Sequence, residues 1–234
     1  MQIIVNETRI ARGARIGKIA TFTGLGFLVV GLIVSLTLQT TGLIWVSFVC
    51  LLLGILVSSV GTMNMNRWVR EPRADQALTR GLKGFDDRYR LYSYFLPAPH
   101  VLLGPSGLFV LTTMGQDGTI HYDGTKFRRD FSALRLLRFM AEEGLGKPFS
   151  EADSQVSAIQ KLLDKEGAGE GIEIQNVVVF YNPRAQLSVS DPPRPVVTRK
   201  ALKKTIRRQQ ADGGTKLSGA QYRELRDLFD QVVG

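Results

Sequence analysis

The sequence predicts a membrane-anchored α/β protein, a two-helix transmembrane hairpin followed by a mixed α/β domain. Three observations predict it. Residues 19–38 and 43–62 are apolar runs without a charged residue, separated by Gln39, Thr40, Thr41 and Gly42. Basic residues crowd the outer flanks of this pair and are missing between its members. From about Ala77 onward, short β-branched runs and glycine or proline turns alternate with amphipathic stretches.

Composition bounds the rest. At 234 residues, 44 % hydrophobic and 22 % charged, the chain can bury a core and is too apolar for a disordered tail. One Cys excludes an internal disulfide framework and a zinc site of clustered thiolates, and two His leave little for imidazole metal chemistry. No cofactor is expected. The mean hydropathy of +0.01 averages an intensely apolar segment with a polar domain. The net charge of +9 divides similarly: residues 1–18 carry +3 and residues 63–234 carry +6. Such an excess points to an anionic partner.

Each apolar run gives about 30 Å of helix, the thickness of a bilayer core. The four-residue connection makes the pair antiparallel, so both chain ends share one side. Arg9, Arg12, Arg15 and Lys18 precede the first run, and Arg67, Arg70 and Arg73 follow the second. The positive-inside rule then places both termini in the cytoplasm, with the two-span hairpin in the inner membrane. A cleaved signal peptide does not fit: the first run starts late, is too long, and Leu36, Leu38 and Gln39 do not form a small-residue cleavage site. Gly24, Gly26 and Gly31, with Gly54 opposite, are candidates for close helix contact. Cys50 reads as a packing residue and Trp68 as an interfacial anchor. The expected organisation is a basic segment 1–18, a hairpin 19–62, a linker 63–76 and a soluble domain 77–234.

Within that domain, Leu78, Leu82, Phe85 and Tyr89 predict a helix over 77–92. Residues 101–103 and 108–112 flank the turn Gly104-Pro105-Ser106-Gly107, and 119–122 and 125–128 flank Asp123-Gly124, giving two hairpins. Helices are expected over 131–142 and over 150–165, the latter capped by Ser150. Residues 174–181 form a β-branched run, hence a strand buried on both faces. A short strand at Val196 and Val197 precedes helices over 199–210 and 219–231, with Thr198 and Ser218 as caps.

The segments HVLLGPSGLFVL, GTIHYDGTKF, VVVFYNPRAQL and LSGAQYRELRDL occur in an order and spacing that resemble the nuclease-related domain, NERD. That family sits in the restriction-endonuclease-like superfamily, and the resemblance runs over residues 78–231. It implies a restriction-endonuclease-like mixed α/β fold. It also implies an Asp just before His100-Val101 and an acid-x-Lys triplet ending the strand after the glycine turn. These groups would hold a divalent metal and polarise a phosphate. Here the first position is Pro99 and the triplet is Thr112-Thr113-Met114. All three implied groups are missing, so no catalytic residue and no metal site is assigned. Asp117, Glu142, Asp123 and Asp86 are the acids available to move into the role, although Asp123 and Asp117 are accounted for by turns. Gln155 falls where the resemblance puts a polar helix residue facing the site. His100 reads as a polar residue at a strand start.

The remaining signal is TRKALKKTIRRQQ, residues 198–210. On a helix, Arg199, Lys200, Lys203, Lys204, Arg207 and Arg208 form one broad face and Leu202 and Ile206 the other. Such a face is either simply solvated or attracts anions, nucleic acid or lipid headgroups. Tethering favours lipid, and no aromatic residue interleaves with the cations to stack bases. The sequence therefore predicts an integral inner-membrane pseudoenzyme. Its nuclease-like domain faces the cytoplasm and binds anionic lipid, nucleic acid or a protein partner. An active nuclease with relocated acids and a structural membrane-assembly module are the alternatives.

Overall fold

A computed structural model describes residues 1–37, 41–130, 144–211 and 216–234. The helix expected over 131–142 lies outside the described residues. The chain divides into two compact units, a helical hairpin and an α/β unit.

The hairpin consists of α1 (Glu7–Thr37) and α2 (Thr41–Trp68), both long and apolar enough to cross a membrane. Each extends past the apolar run read from the sequence. Their seam is built on small residues at seven-residue spacing: Gly17, Gly24 and Gly31 on α1, and Ser47, Gly54 and Gly61 on α2. Without side chains the two backbones approach closely. A Cβ on Gly24 would fall 2.6 Å from the Ser58 backbone nitrogen, and one on Gly61 equally close to that of Thr21. Ser47 Oγ donates to the Gly31 carbonyl at 2.7 Å, a polar tie inside the apolar seam. Gly26 is not part of the seam, because nothing lies within 4 Å of where its Cβ would be. Trp68 also departs from the expected interfacial role. It is buried in the seam at 9 % exposure, with its indole 2.5 Å from a Cβ on Gly13. Phe22, Leu36 and Trp45 face outward, as lipid-facing side chains do.

The α/β unit contains Met1–Asn6 as well as the residues after Arg73. Its elements are β1 (Gln2–Val5), α3 (Ala74–Gly81), β2 (Arg90–Ser93), β3 (His100–Gly104), β4 (Gly107–Met114), β5 (Gly118–Tyr122) and β6 (Phe127–Arg129). There follow α4 (Pro148–Glu166), β7 (Ile174–Phe180), β8 (Ala185–Val189), β9 (Val196–Thr198), α5 (Leu202–Ala211) and α6 (Gly219–Val233). A six-stranded sheet runs β1-β2-β3-β4-β7-β9, and a smaller one β6-β5-β8. In the larger sheet β2, β3 and β4 are antiparallel, while β1 joins β2 and β7 joins β4 in parallel.

Strand alternation splits the core across this sheet. Leu91, Leu102, Phe109, Leu111, Val177 and Val179 pack under α3 and α5 through Leu78, Leu82, Leu202 and Ile206. On the opposite face Tyr92, Val101, Leu103 and Val110 meet Ile159 and Leu163 of α4 and Leu225 and Phe229 of α6. A third cluster of Met114, Ile120, Ala152, Val178 and Phe180 joins the two sheets.

Several expected elements change. The helix over 77–92 ends at Gly81, and its last three residues, 90–92, fall in β2. Gly84 takes φ +87°, which breaks the helix, and Tyr89 packs on Gly104 while donating to Ser106 Oγ at 3.0 Å. Pro148 rather than Ser150 opens α4, at the position where a missing N–H costs nothing. Thr198 ends β9 instead of capping a helix, and α5 begins only at Leu202. Ser218 does cap α6, in a capping box with Gln221. Strands β1 and β8 have no counterpart in the sequence reading, which treats residues 1–18 only as a basic flank.

Candidate functional site

The sheet register brings the marked residues together at one end of β4. Val101 pairs with Val110, so the β3–β4 ladder continued by two residues sets Pro99 opposite Thr112. Thr112 is fully buried, pointing to the face covered by α4. There its hydroxyl donates to Gln155 Oε1 at 3.0 Å. Asn176 on β7 donates to Thr112 Oγ1 at 3.0 Å and to the Val110 carbonyl at 3.1 Å. Gln155 Nε2 in turn donates to Glu151 Oε1 at 3.0 Å. The result is a directional chain, Asn176 to Thr112 to Gln155 to Glu151, running from the centre of the sheet to an exposed carboxylate on α4. Each donor is polarised by the next acceptor. Asn176 Oδ1 is buried without a hydrogen-bond partner among the described residues.

The other marked residues are occupied structurally. Met114 is 5 % exposed and packs in the cluster between the sheets. The Pro99 carbonyl accepts from the Tyr94 N–H at 2.7 Å. His100 is buried, with Nδ1 3.1 Å from Ser93 Oγ across the β2–β3 ladder and its ring edge-on to Tyr94.

The acids lie elsewhere. Asp117 pairs with Arg129 and, at 3.7 Å, with Arg184. Asp123 accepts from the Thr125 hydroxyl at 2.6 Å and from the Thr125 and Lys126 N–H groups at 3.0 Å. These bonds, the Thr125 hydroxyl foremost, hold its carboxyl well below the usual carboxylate range. Asp86 is held down chiefly by the Arg88 guanidinium that bonds to it. Glu142 lies outside the described residues. Among the described residues no group of three or more His, Cys, Asp or Glu is placed to hold a metal ion.

The basic segment forms a second feature. Arg199 and Lys200 lie in the turn before α5, and Lys203, Lys204, Arg207 and Arg208 lie on it, with Leu202 and Ile206 fully buried beneath. Lys203 and Arg207 do structural work. Lys203 Nζ donates to the Lys83 carbonyl at 2.9 Å, and both Lys203 and Arg207 stand over the Phe85 ring, at 5.9 and 5.5 Å. Gly81 lies against the Arg199 backbone. The exposed side chains of Arg80 and Lys83 therefore border the α5 cations, an addition the sequence reading did not contain. Asn176 was missed too; a polar residue inside the β-branched run IQNVVVF was its signal.

Residues 68–181 match the family model described as the nuclease-related domain, NERD. The match ends at Tyr181, before the NPRAQL and C-terminal segments that contribute to the resemblance. No curated protein matches the chain, and no solved structure does.

Proposed function

Because the chain carries a nuclease-related domain over residues 68–181, we propose that it is an inner-membrane protein presenting a catalytically inactive, restriction-endonuclease-like domain to the cytoplasm, where that domain acts by binding. The observation that carries this reading is the Asn176–Thr112–Gln155 chain. The family resemblance implies a carboxylate on β4 at Thr112, another at Pro99 and a lysine at Met114. Neutral carbonyl oxygens and waters complete the shell of a hard divalent cation, but one or more carboxylates normally supply the charge that offsets its lost hydration. The groups gathered around Thr112 are a hydroxyl and two amides, and a carboxylate, Glu151, enters only at the exposed outer end of the chain of bonds. This donor set does not fit such a metal, and Met114 can neither donate a proton nor neutralise phosphate. What the chain of bonds does is pin α4 to the sheet, which keeps the domain rigid without a metal.

The two apolar helices and the clustering of cations at their outer ends support the anchored, cytoplasm-facing arrangement. The six cations around α5 supply the binding surface. The full chain, purified in detergent, is expected to show no magnesium- or manganese-dependent cleavage of single- or double-stranded DNA or RNA. Robust cleavage abolished by Asp117→Ala or Asp123→Ala would overturn this reading in favour of relocated acids.

A further inference from the structure

We infer that the cationic surface formed by α5 and the loop after α3 docks on anionic phospholipid headgroups of the membrane that anchors the chain. This deepens the binding role proposed above and rests on it.

Four observations support the assignment. The surface is larger than the helix that announces it, because Arg80 and Lys83 join Lys200, Lys204 and Arg208 from a segment more than a hundred residues earlier in sequence. Residues 79–85 and 198–211, which build it, contain no acid. The nearest acids in sequence, Asp86 and Asp87, are occupied by Arg88 and by the Met1 ammonium group. The surface is also held in place: Leu202 and Ile206 are fully buried, and Lys203 clamps the loop carbonyl.

The nature of the anion follows from what the surface lacks and from where the chain enters it. Phe85 is 8 % exposed and covered by Lys203 and Arg207, so it offers no face on which a base could stack. Five residues, 69–73, separate the end of α2 from the start of α3, and α3 runs straight into Arg80 and Lys83. That linker, with a reach of about 20 Å, tethers α3 to the end of an apolar helix long enough to cross a membrane, so headgroups are the most concentrated anions available to the domain.

The test uses the full chain in nanodiscs and a water-soluble amine-acylating reagent, with labelling read lysine by lysine by mass spectrometry. Replacing phosphatidylcholine with phosphatidylglycerol should lower labelling of Lys83, Lys200 and Lys204 by about threefold or more, and roughly 0.5 M salt should restore it. Lys126 and Lys161, exposed on other elements, should not change. The double variant Lys200→Glu/Lys204→Glu should return Lys83 labelling in the anionic discs to its zwitterionic level. Equal labelling in the two kinds of disc would overturn the inference. Protection by an added oligonucleotide without protection by phosphatidylglycerol would overturn it in favour of nucleic acid. Metal-dependent cleavage would overturn only the inactive-nuclease reading, since the lipid footprint is measured independently of it.

Discussion

Thr112 donates its hydroxyl hydrogen to Gln155 Oε1 at 3.0 Å, tying α4 to the central strand at the position where the family resemblance implies an acid. Both side chains are buried, so the bond cannot be replaced by water at little cost. Gln155→Leu leaves the Thr112 hydroxyl without an acceptor and releases Glu151. The expected loss is about 1–3 kcal/mol, a fall of roughly 2–12 °C in the thermal midpoint of the full chain in detergent. An unchanged midpoint would show that the chain of bonds carries no stability.

Glycine positions in the hairpin can be separated by the same measurement. Gly24→Val drives a side chain into the Ser58 backbone, whereas Gly26→Val projects into open space. The first should lower the thermal midpoint in detergent strongly, with about 2–4 kcal/mol lost as the helices are forced apart. The second should leave it within about 0.5 kcal/mol of the parent. Equal effects would refute the seven-residue seam.

These two sites show which parts of the molecule are legible in its sequence. Signals confined to a few neighbouring residues survive folding: the Gly104–Gly107 turn, the β-branched run of β7, and Ser218 with Gln221. What fails depends on contacts from far away. The spacing of Leu78, Leu82, Phe85 and Tyr89 is helical, yet Tyr89 is claimed by Gly104 and Ser106, and the chain becomes strand. Strand β1 is four residues whose partner is Arg90–Ser93, and no local pattern encodes that pairing. At the candidate site Gln155 is identified from the family resemblance. Asn176 stands out in the sequence only as a polar residue inside a β-branched run, and its bond to Thr112 and the place of Lys83 beside α5 become visible only when the register and the α3–α5 packing are known.

Cations on α5 divide by role, which a substitution pair exposes. Lys203 holds the Lys83 carbonyl and stands over Phe85, while Lys204 is exposed. Lys203→Glu should lower the thermal midpoint through loss of about 1–2 kcal/mol, and Lys204→Glu should leave it within about 0.5 kcal/mol. A charge reversal at Lys203 or Arg207 therefore confounds binding with folding, and Lys200 and Lys204 are the positions at which binding is tested. Matching midpoints for the two variants would contradict this division.

The β5–β6 turn should carry a specific pH dependence. Asp123 is bonded to Thr125 and Lys126 in its ionised form, so its carboxyl titrates lower in the folded chain than in the unfolded one. A depressed folded value means the contribution is complete above the unfolded carboxylate range and is lost as pH falls below it. Asp123→Asn, compared with the parent, should show a stability gap that is constant from about pH 5 to 8 and begins to close below about pH 4. Thermal midpoints recorded across this series decide it. A gap of constant size down to about pH 2 would mean that the carboxylate charge is not what the turn uses.

The pairing of β1 with β2 makes the membrane hairpin an insertion within the α/β unit rather than a segment placed before it. Gln2–Val5 supplies the ladder partner of Arg90–Ser93, and Ile4 packs with Tyr92 in the core shared with α4 and α6. A soluble fragment of residues 75–234 lacks this strand. It exposes the β2 edge, where Leu91 and Tyr92 are otherwise fully buried. Such a fragment should be less stable by about 2–4 kcal/mol and prone to association through the open edge. Joining residues 1–6 to residue 74 by a flexible Gly/Ser linker, with the hairpin deleted, should restore a monomeric fold. Size-exclusion chromatography and thermal unfolding of the two fragments, side by side, provide the comparison. If residues 75–234 alone are monomeric and as stable as the linked form, then β1 is an appendage of the membrane helix and not a strand the domain requires.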